Sequence, residues 1–276
     1  HIKATKGVII ASGGFASDIE FRKKYDSRLT ESVLSTNKPF ATAEVLKAAI
    51  DIGADTQDLS YIQTGAWACP DETGYGVGPQ FSEYIVFQYG IIIDPKTGKR
   101  FVNELSDRKT LSDALFKRGH PCIGIADTTA VTRSGWNIDV AIKKGVVQMF
   151  NSIEEIAHYY QIHSSDLKST IAFFNKNCSK GKDSEFEKPI LKNAKPIEKA
   201  PYYTMRLWPK VHFCMGGLKI NTKAEVLGTK KTPIRGLYAA GEVTGGVHGA
   251  SRLGSCSITD CIVFGRIAGH NAAKHT

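Results

Sequence analysis

The stretch AGEVTGGVHGASRLGS, residues 240–255, contains five glycines and only three ionisable side chains, which are Glu242, His248 and Arg252. It follows an apolar segment typical of a buried strand, GLYAA (236–240), and precedes a segment with the apolar spacing of a helix (257–273). A long glycine-rich loop before a helix lets backbone N–H groups approach a flat or phosphorylated ligand, and the helix N-terminus adds about half a positive charge. Glu242 could accept hydrogen bonds from ligand hydroxyl groups. The pattern predicts a cofactor site, with a simple tight turn as the alternative.

The amino-terminal segment predicts part of an α/β sheet. An apolar run over 7–11 is typical of a buried strand that ends at Gly13 and Gly14, and a helix is expected from about Asp18. Residues 42–54 show the spacing of a second helix. A strand, a glycine turn and helices in this order are typical of α/β proteins.

The composition changes after about residue 64, where a block of α+β character begins. Residues 64–83 are rich in Gly, Pro and aromatics and show no clear periodicity. From residue 84 the pattern predicts, in order, strand 84–93, strand 99–104, strand 122–127, helix 152–160 and helix 165–175. Residues 215–242 are again typical of a β-rich segment.

Charge and cysteine usage narrow the function class. The net charge is +9, but the lysines are spread along the chain, which favours small anionic substrates or simple solubility over nucleic acid. The six cysteines form no C-x-x-C pair, so zinc and haem are not favoured and buried, inert thiols are expected. No apolar run reaches the roughly 18 residues of a spanning helix. The chain opens at His1 without a methionine, so its natural start is expected upstream or on another chain.

Three further cationic or titratable residues stand out without settling their roles. Arg252 lies among small residues, and His212 lies in KVHFCMGG (210–217). A lone histidine is more often a core residue than a catalytic one. Arg108 could equally form a surface ion pair with Asp107 or Glu104. Spacing alone indicates only a ligand-binding α/β protein with an anionic partner.

The chain resembles the flavoprotein subunit family of fumarate reductases, most closely the soluble flavocytochrome c type. The matching segments cover nearly the whole chain, and the last two are long and specific: IASGGF (10–15), YIQ (61–63), GKRFVNE (98–104) with Arg108, HFCMGGLKINTKAEV (212–226) and GLYAAGEVTGGVHGASRLGS (236–255). The family also includes urocanate and acrylate-type reductases, aspartate oxidase and ketosteroid dehydrogenases.

The resemblance implies an α/β FAD-binding domain of Rossmann-like type, incomplete and interrupted by a mobile α+β capping domain. Residues 1–64 and 212–276 would be the two segments of the FAD-binding domain, and 65–211 would be the capping domain. The implied cofactor is FAD, and no metal is implied. The residues implied to bind FAD are Gly13, Gly14, Gly217, Gly241, Glu242, Gly246, Arg252, Ser257 and Ile258.

The resemblance also implies the chemistry, which is reduction of a C=C bond conjugated to a carboxylate. Hydride passes from flavin N5 to the β-carbon, and a protein acid protonates the α-carbon. Arg252 and His212 match the residues that hold the carboxylate and stabilise its developing charge. Arg108 matches the proton donor and Glu83 its relay glutamate. Because arginine holds its proton tightly, this role needs a strongly basic carbon and a relay that returns the proton.

Three departures from the family pattern bear on this expectation. The dinucleotide fingerprint G-x-G-x-x-G is absent, so a missing N-terminal segment or a partner chain is expected to complete the FAD site. Gly65 stands nearest the position where fumarate reductases place a histidine that grips the second carboxylate. Val86 stands where a relay arginine is expected, so the proton route must differ or include water.

The loss of that histidine, with Trp67, Tyr75, Phe81 and Tyr84 nearby, predicts a mouth shaped for a bulkier, less charged tail. The expected substrate is therefore a monocarboxylate such as an aryl acrylate, urocanate or methacrylate. The residues expected to bind it are His212, Arg252, Gly65, Ser82 and Tyr75. The alternative is that these aromatic residues only pack the capping domain.

Other functions remain open at this point. They are a fumarate reductase proper, a flavin dehydrogenase acting on a ketone such as a 3-ketosteroid, and a structural piece whose catalytic partner lies elsewhere. A ketone needs no arginine pair, which argues against the dehydrogenase. An electron-donor module based on haem, FMN or NADH is expected outside this chain. Neither a nucleic acid nor a membrane span is expected. The resemblance favours the periplasm over the cytoplasm.

Overall fold

The computed structural model describes residues 3–192 and 194–274, and its elements are numbered in chain order. The α-helices are α1 (Ile19–Tyr25), α2 (Glu44–Asp51), α3 (Gly78–Phe81), α4 (Phe87–Tyr89), α5 (Arg108–Arg118), α6 (Thr128–Ser134), α7 (Asp139–Lys143), α8 (Ile153–Tyr159), α9 (Ser164–Ser179) and α10 (Cys256–Lys274). A π-helix, Ser82–Val86, lies between α3 and α4. The strands are β1 (Val8–Ile10), β2 (Thr56–Gln57), β3 (Ile62–Gly65), β4 (Ile91–Asp94), β5 (Lys99–Arg100), β6 (Cys122–Asp127), β7 (Gln148–Phe150), β8 (Tyr202–Leu207), β9 (Lys210–Cys214), β10 (Gly217–Lys219), β11 (Glu225–Leu227), β12 (Pro233–Ala239) and β13 (Thr244–Gly245).

The chain forms two compact units, residues 1–64 with 211–276, and residues 65–210. The outermost residues of the first unit, 1–2 and 275–276, lie outside the described residues. Both units mix helices and strands, as the sequence predicts.

The first unit is built on parallel strands β1 and β12, with Val8 opposite Leu237 and Ile10 opposite Ala239. Strand β11 extends this sheet in antiparallel direction. Helix α10 packs on β12, where Ala268 and Ala272 meet Tyr238. The predicted order of strand, glycine-rich loop and helix over 237–273 is therefore confirmed.

Three burial predictions in this unit are wrong. Val8 and Ile9 are 51% and 41% exposed, although β1 pairs with β12. The apolar stripe of α10 is only half covered: Phe264, Ile267 and Ala268 face the β12 side, whereas residues 258, 262 and 263 are exposed. Cys256 and Cys261 on the same helix are exposed as well.

The second unit is an antiparallel sheet with strand order β5-β4-β6-β8-β7, covered on both faces. Side chains alternate along β4, so Ile92 joins the core with Trp67, Phe81 and Leu115, while Ile91 packs on the opposite face with α8 and α9. Ser152 caps α8 by accepting from the Glu155 N–H, as predicted.

The strand predicted over 84–93 is wrong in its first half. Residues 82–89 form the π-helix and α4, and the strand begins only at Ile91. A continuous apolar run fits a buried helix as well as a buried strand, so the pattern could not separate the two.

Helix α5 lacks apolar spacing, and its Asp107 N-cap accepts from Lys109 N and Thr110 N.

A buried ionic cluster holds β5 to the segment that follows α9. Arg100 pairs with Glu104 at 2.8 Å and with Asp183 at 2.9 Å, and Lys188 lies 3.4 Å from Glu104. The four side chains are at most 1% exposed, and their charges balance. The neighbouring cations and the Ile92 N–H bond hold the pKa of Glu104 below its ordinary value, against the opposing effect of burial. Glu104 is thus committed to Arg100, not to Arg108.

We expect Glu104→Gln to lower the free energy of unfolding by about 3–5 kcal/mol, because it leaves buried cations without a counter-charge. Denaturant unfolding of the complete protein measures this. Glu154→Gln is the matched control, since Glu154 pairs with Lys168 at the surface and its loss should leave the free energy of unfolding nearly unchanged. Equal losses in the two variants would contradict a structural role for the cluster.

Candidate functional site

The glycine-rich loop connects β12 to α10 and holds four of the nine predicted cofactor residues, which are Gly241, Glu242, Gly246 and Arg252. Gly241 and Gly246 have positive φ angles of 77° and 91°, as does Gly13 at 79°. Gly217 allows a close backbone approach, because a Cβ there would lie 2.1 Å from the Val243 oxygen. Ser257 and Ile258 lie in the first turn of α10, which begins at Cys256. Their direct contacts with a cofactor stay predictions.

Glu242 is the most constrained residue of this loop. Its Oε1 accepts a 2.9 Å hydrogen bond from the Cys214 N–H. A Cβ at Gly14 would lie 2.3 Å from the same oxygen, so the absence of a side chain at position 14 leaves room for the carboxylate. Burial raises the pKa of Glu242 to about 7, although the Cys214 N–H and the positive charge of Arg252 act in the opposite direction.

His212 and Arg252, the predicted carboxylate-binding residues, both lie in the first unit. A 2.9 Å hydrogen bond joins His212 Nδ1 and Thr36 Oγ1, which orients the imidazole. The guanidinium carbon of Arg252 lies 4.4 Å from the Phe213 ring centroid. Gln63 donates to the Arg252 carbonyl at 2.9 Å, so the loop is fixed to β3 at this residue.

A pair that the sequence pattern did not identify joins this loop to α10. His248 Nε2 lies 3.3 Å from Asp260 Oδ2, and Asp260 Oδ1 is buried without a hydrogen-bond partner among the described residues. Burial raises the pKa of Asp260, against the effect of His248. Both residues line a cavity of about 560 Å³. His248 and Asp260 are twelve positions apart and no periodicity links them, so no sequence signal pointed to the pair.

The predicted proton donor and its relay glutamate meet in the second unit. Arg108 Nη2 lies 3.3 Å from Glu83 Oε1, and both side chains are about a quarter exposed. Arg108 is the first residue of α5, and its guanidinium carbon is 5.9 Å from the Trp67 ring centroid. Arg108 Nη1 is buried without a hydrogen-bond partner among the described residues. The surface pair with Asp107 or Glu104, weighed from the sequence, is not the one the structure shows.

The other predicted substrate residues lie near this pair in the same unit. Gly65 ends β3 and is buried, and the Tyr75 ring packs against the Trp67 ring at a centroid distance of 5.1 Å and an angle of 50°. Partial burial raises the pKa of Tyr75, and the Glu83 carboxylate adds to this. Ser82 is fully buried, and its hydroxyl donates to the Trp67 carbonyl at 2.6 Å. A direct contact of Ser82 with substrate stays a prediction.

The relay region is a π-helix, in which Glu83 and Val86 both lie. Such turns occur often at functional sites because they re-aim individual side chains. Val86 is fully buried in the apolar core, so it carries no proton.

The described residues contain no group of three His, Cys, Asp or Glu side chains arranged to bind a metal ion. Across the same part of the chain, no helix is long and apolar enough to cross a membrane.

We expect Glu242→Gln to flatten the pH dependence of stability in the flavin-free protein. Because the folded-state pKa of about 7 lies above the ordinary 4.5, the stabilising effect of the protonated carboxyl is complete below 4.5 and is lost as the pH rises through 7. The free energy of unfolding of the wild type should therefore fall by up to about 3 kcal/mol between pH 4.5 and pH 8, whereas that of the variant should not show this decrease. Denaturant unfolding at several pH values measures it, with exposed Glu44→Gln as control. Parallel curves for wild type and Glu242→Gln would contradict the assignment.

Comparison with known proteins identifies the relatives of this chain. It is 43% identical over 274 residues to the acrylate reductase flavoprotein subunit of Shewanella woodyi, covering 97% of this chain and 54% of that protein. It is 38% identical to the urocanate reductase of Eggerthella lenta, covering 97% of this chain and 44% of that protein. The chain thus spans about half the length of these curated relatives.

A solved structure matches the fold over nearly the whole chain. The open conformation of a flavocytochrome c3 fumarate reductase superposes with a TM-score of 0.79 at 33% identity, covering 98% of this chain and 46% of that one. The mixed helix-and-sheet fold of the fumarate reductase flavoproteins is confirmed. A model for the FAD binding domain matches residues 1–258. The chain therefore belongs to the FAD binding domain family, and its cofactor is FAD.

Proposed function

We propose that this chain is part of an FAD-dependent reductase that reduces the C=C bond of an α,β-unsaturated monocarboxylate. The observation that carries the proposal is the Arg108–Glu83 pair. Nη2 of Arg108 pairs with Glu83, while Nη1 has no hydrogen-bond partner among the described residues. Such a guanidinium is suited to donate a proton through one nitrogen and recover it through the other. The acrylate and urocanate reductases among the relatives support the same chemistry.

The two compact units support different proposed roles for the two parts of the chain. Residues 1–64 and 212–276 are proposed as segments of an incomplete Rossmann-like FAD-binding domain, and residues 65–211 as its capping domain. Since the G-x-G-x-x-G fingerprint is absent from this sequence, residues outside the chain are proposed to supply it. An electron-donor module is also proposed to lie outside the chain.

The residues of the first unit fit a flavin. The Glu242 carboxyl has acceptor capacity beyond its bond to Cys214 and suits ligand hydroxyl groups. Gly13, Gly14, Gly217, Gly241 and Gly246 would hold the cofactor through the backbone, together with Arg252, Ser257 and Ile258. Bound FAD would supply the hydride. The residues of this chain would bind, orient and protonate the substrate.

His212 and Arg252 are proposed to bind the substrate carboxylate. A guanidinium can hold a carboxylate through two parallel N–H bonds, and this fixes the plane of the conjugated system. Both donors would stabilise the negative charge that builds up on the carboxylate as the β-carbon is reduced. The contact of Arg252 with Phe213 and that of His212 with Thr36 hold these donors in place before substrate binds.

Arg108 is proposed to protonate the α-carbon and Glu83 to return the proton. Buried Val86 cannot extend the relay, so the path from Glu83 leads to solvent, to which Glu83 is partly exposed. Tyr75 lies at the same place and is half exposed.

The proposal is tested by anaerobic oxidation of a reduced viologen by the complete, flavin-loaded protein. The acids are acrylate, methacrylate, cinnamate, urocanate and fumarate. We expect at least one monocarboxylate to exceed fumarate in kcat/KM, because Gly65 offers no side chain for a second carboxylate. Fumarate as the best substrate would leave the reductase proposal standing and overturn its monocarboxylate part. No turnover of any acid would overturn both.

We expect Arg108→Gln to lower kcat by about 10²–10⁴-fold, the usual contribution of a positioned proton donor, without loss of bound flavin. Steady-state kinetics with the best acid, together with the flavin absorbance of the purified protein, measures this. The adjacent Lys109→Ala is the control, since that side chain is exposed and pairs with Asp113. Unchanged kcat in Arg108→Gln would refute the assignment of the acid.

A further inference from the structure

The backbone of Gly65 is covered by the side chain of Trp67. A Cβ at position 65 would lie 2.6, 2.8 and 2.9 Å from Cζ2, Cε2 and Cη2 of that indole. Real side chains do not approach so closely, so the ring stands where any side chain at position 65 would have to begin. The turn that folds it back is closed by a 3.2 Å bond from the Ala68 N–H to the Gly65 carbonyl.

The indole is held in this position from several sides. Trp67 is only 2% exposed, and its carbonyl accepts from the buried Ser82 hydroxyl at 2.6 Å. Tyr75 packs on the ring at 5.1 Å. Glu72 closes the loop that contains Tyr75 by accepting from Val77 N at 2.7 Å and from the next backbone N–H at 2.8 Å.

The same ring lies beside the proposed proton donor. The guanidinium carbon of Arg108 is 5.9 Å from the Trp67 ring centroid, within the range of a cation–π interaction. The space beside Gly65 is therefore next to the place where a substrate carbon would be protonated.

We propose that Trp67 limits the size of the substrate by filling the space beside Gly65, so that the site takes a short 2-enoate with a small β-substituent. This inference rests on the proposed function and narrows its substrate class. An indole that occupies this space leaves no room for a second carboxylate or an aryl ring on the β-carbon. The nearby aromatic residues thus close the site, whereas the sequence pattern predicted that they would open it for a bulkier tail.

The first test compares kcat/KM for cinnamate and acrylate in the complete, flavin-loaded protein. We expect the wild type to prefer acrylate, and Trp67→Leu to raise the cinnamate-to-acrylate ratio at least tenfold, because the smaller side chain opens the space. Trp136→Leu is the matched control, since that indole is exposed and stacks on Tyr84. A wild-type preference for cinnamate, or an unchanged ratio in Trp67→Leu, would overturn the inference. If Trp67→Leu does not fold, Trp67→Phe is expected to shift the ratio in the same direction.

The second test needs no turnover and separates this inference from the proposed function. Gly65→Ala should lower the unfolding temperature in the wild type and lower it less in the Trp67→Leu background, because the added methyl group then has room. Additive shifts would show that the ring does not occupy the space beside Gly65, and would overturn the inference. Non-additive shifts without turnover of any acid would place the failure in the proposed function.

Discussion

The largely buried carboxyl group of Glu242 brings together three segments that are distant in the sequence. It follows β12, accepts from the N–H of Cys214 at the end of β9, and lies against Gly14 after β1. A buried acid needs hydrogen-bonding partners, and the opposing effect of desolvation is visible in its raised pKa. A ligand with hydroxyl groups would provide further partners. The glycine at position 14 and the backbone donor at 214 are therefore consequences of placing this one acid.

The second unit uses a different arrangement to hold its proposed site residues. Its antiparallel sheet is covered on both faces, and the balanced cluster around Arg100 and Glu104 holds the β5 hairpin in place. Four residues after Glu104, α5 begins at Arg108, so the proposed acid is placed by a capped helix start beside a rigid hairpin. The π-helix supplies Glu83 from the other side. Rigid supports on both sides suit a residue that must meet a carbon atom in a defined geometry.

Much of the first unit could be predicted because its signals are local. The glycine-rich loop between an apolar strand and a periodic helix depends on residues that are adjacent in the chain. The segment 84–93 failed for the opposite reason, since a nearly continuous apolar run has no period to read. Exposed Val8 and the exposed side of α10 failed because burial depends on which surfaces meet, and hydrophobicity alone does not reveal this. The His248–Asp260 pair and the contact of Trp67 with Gly65 depend on loop conformations that carry no periodic signal.

The sequence by itself determined the family and the cofactor, and it provided the candidate site residues, because these depend on motifs whose spacing is written in the chain. Only the tertiary structure decided which of those residues touch. It paired Arg108 with Glu83 in place of Asp107 or Glu104, committed Ser82 to the Trp67 backbone, and folded that indole over Gly65. The physical reason is that hydrogen bonding and packing act between side chains brought together by the fold, over distances of a few ångströms that residue spacing does not specify.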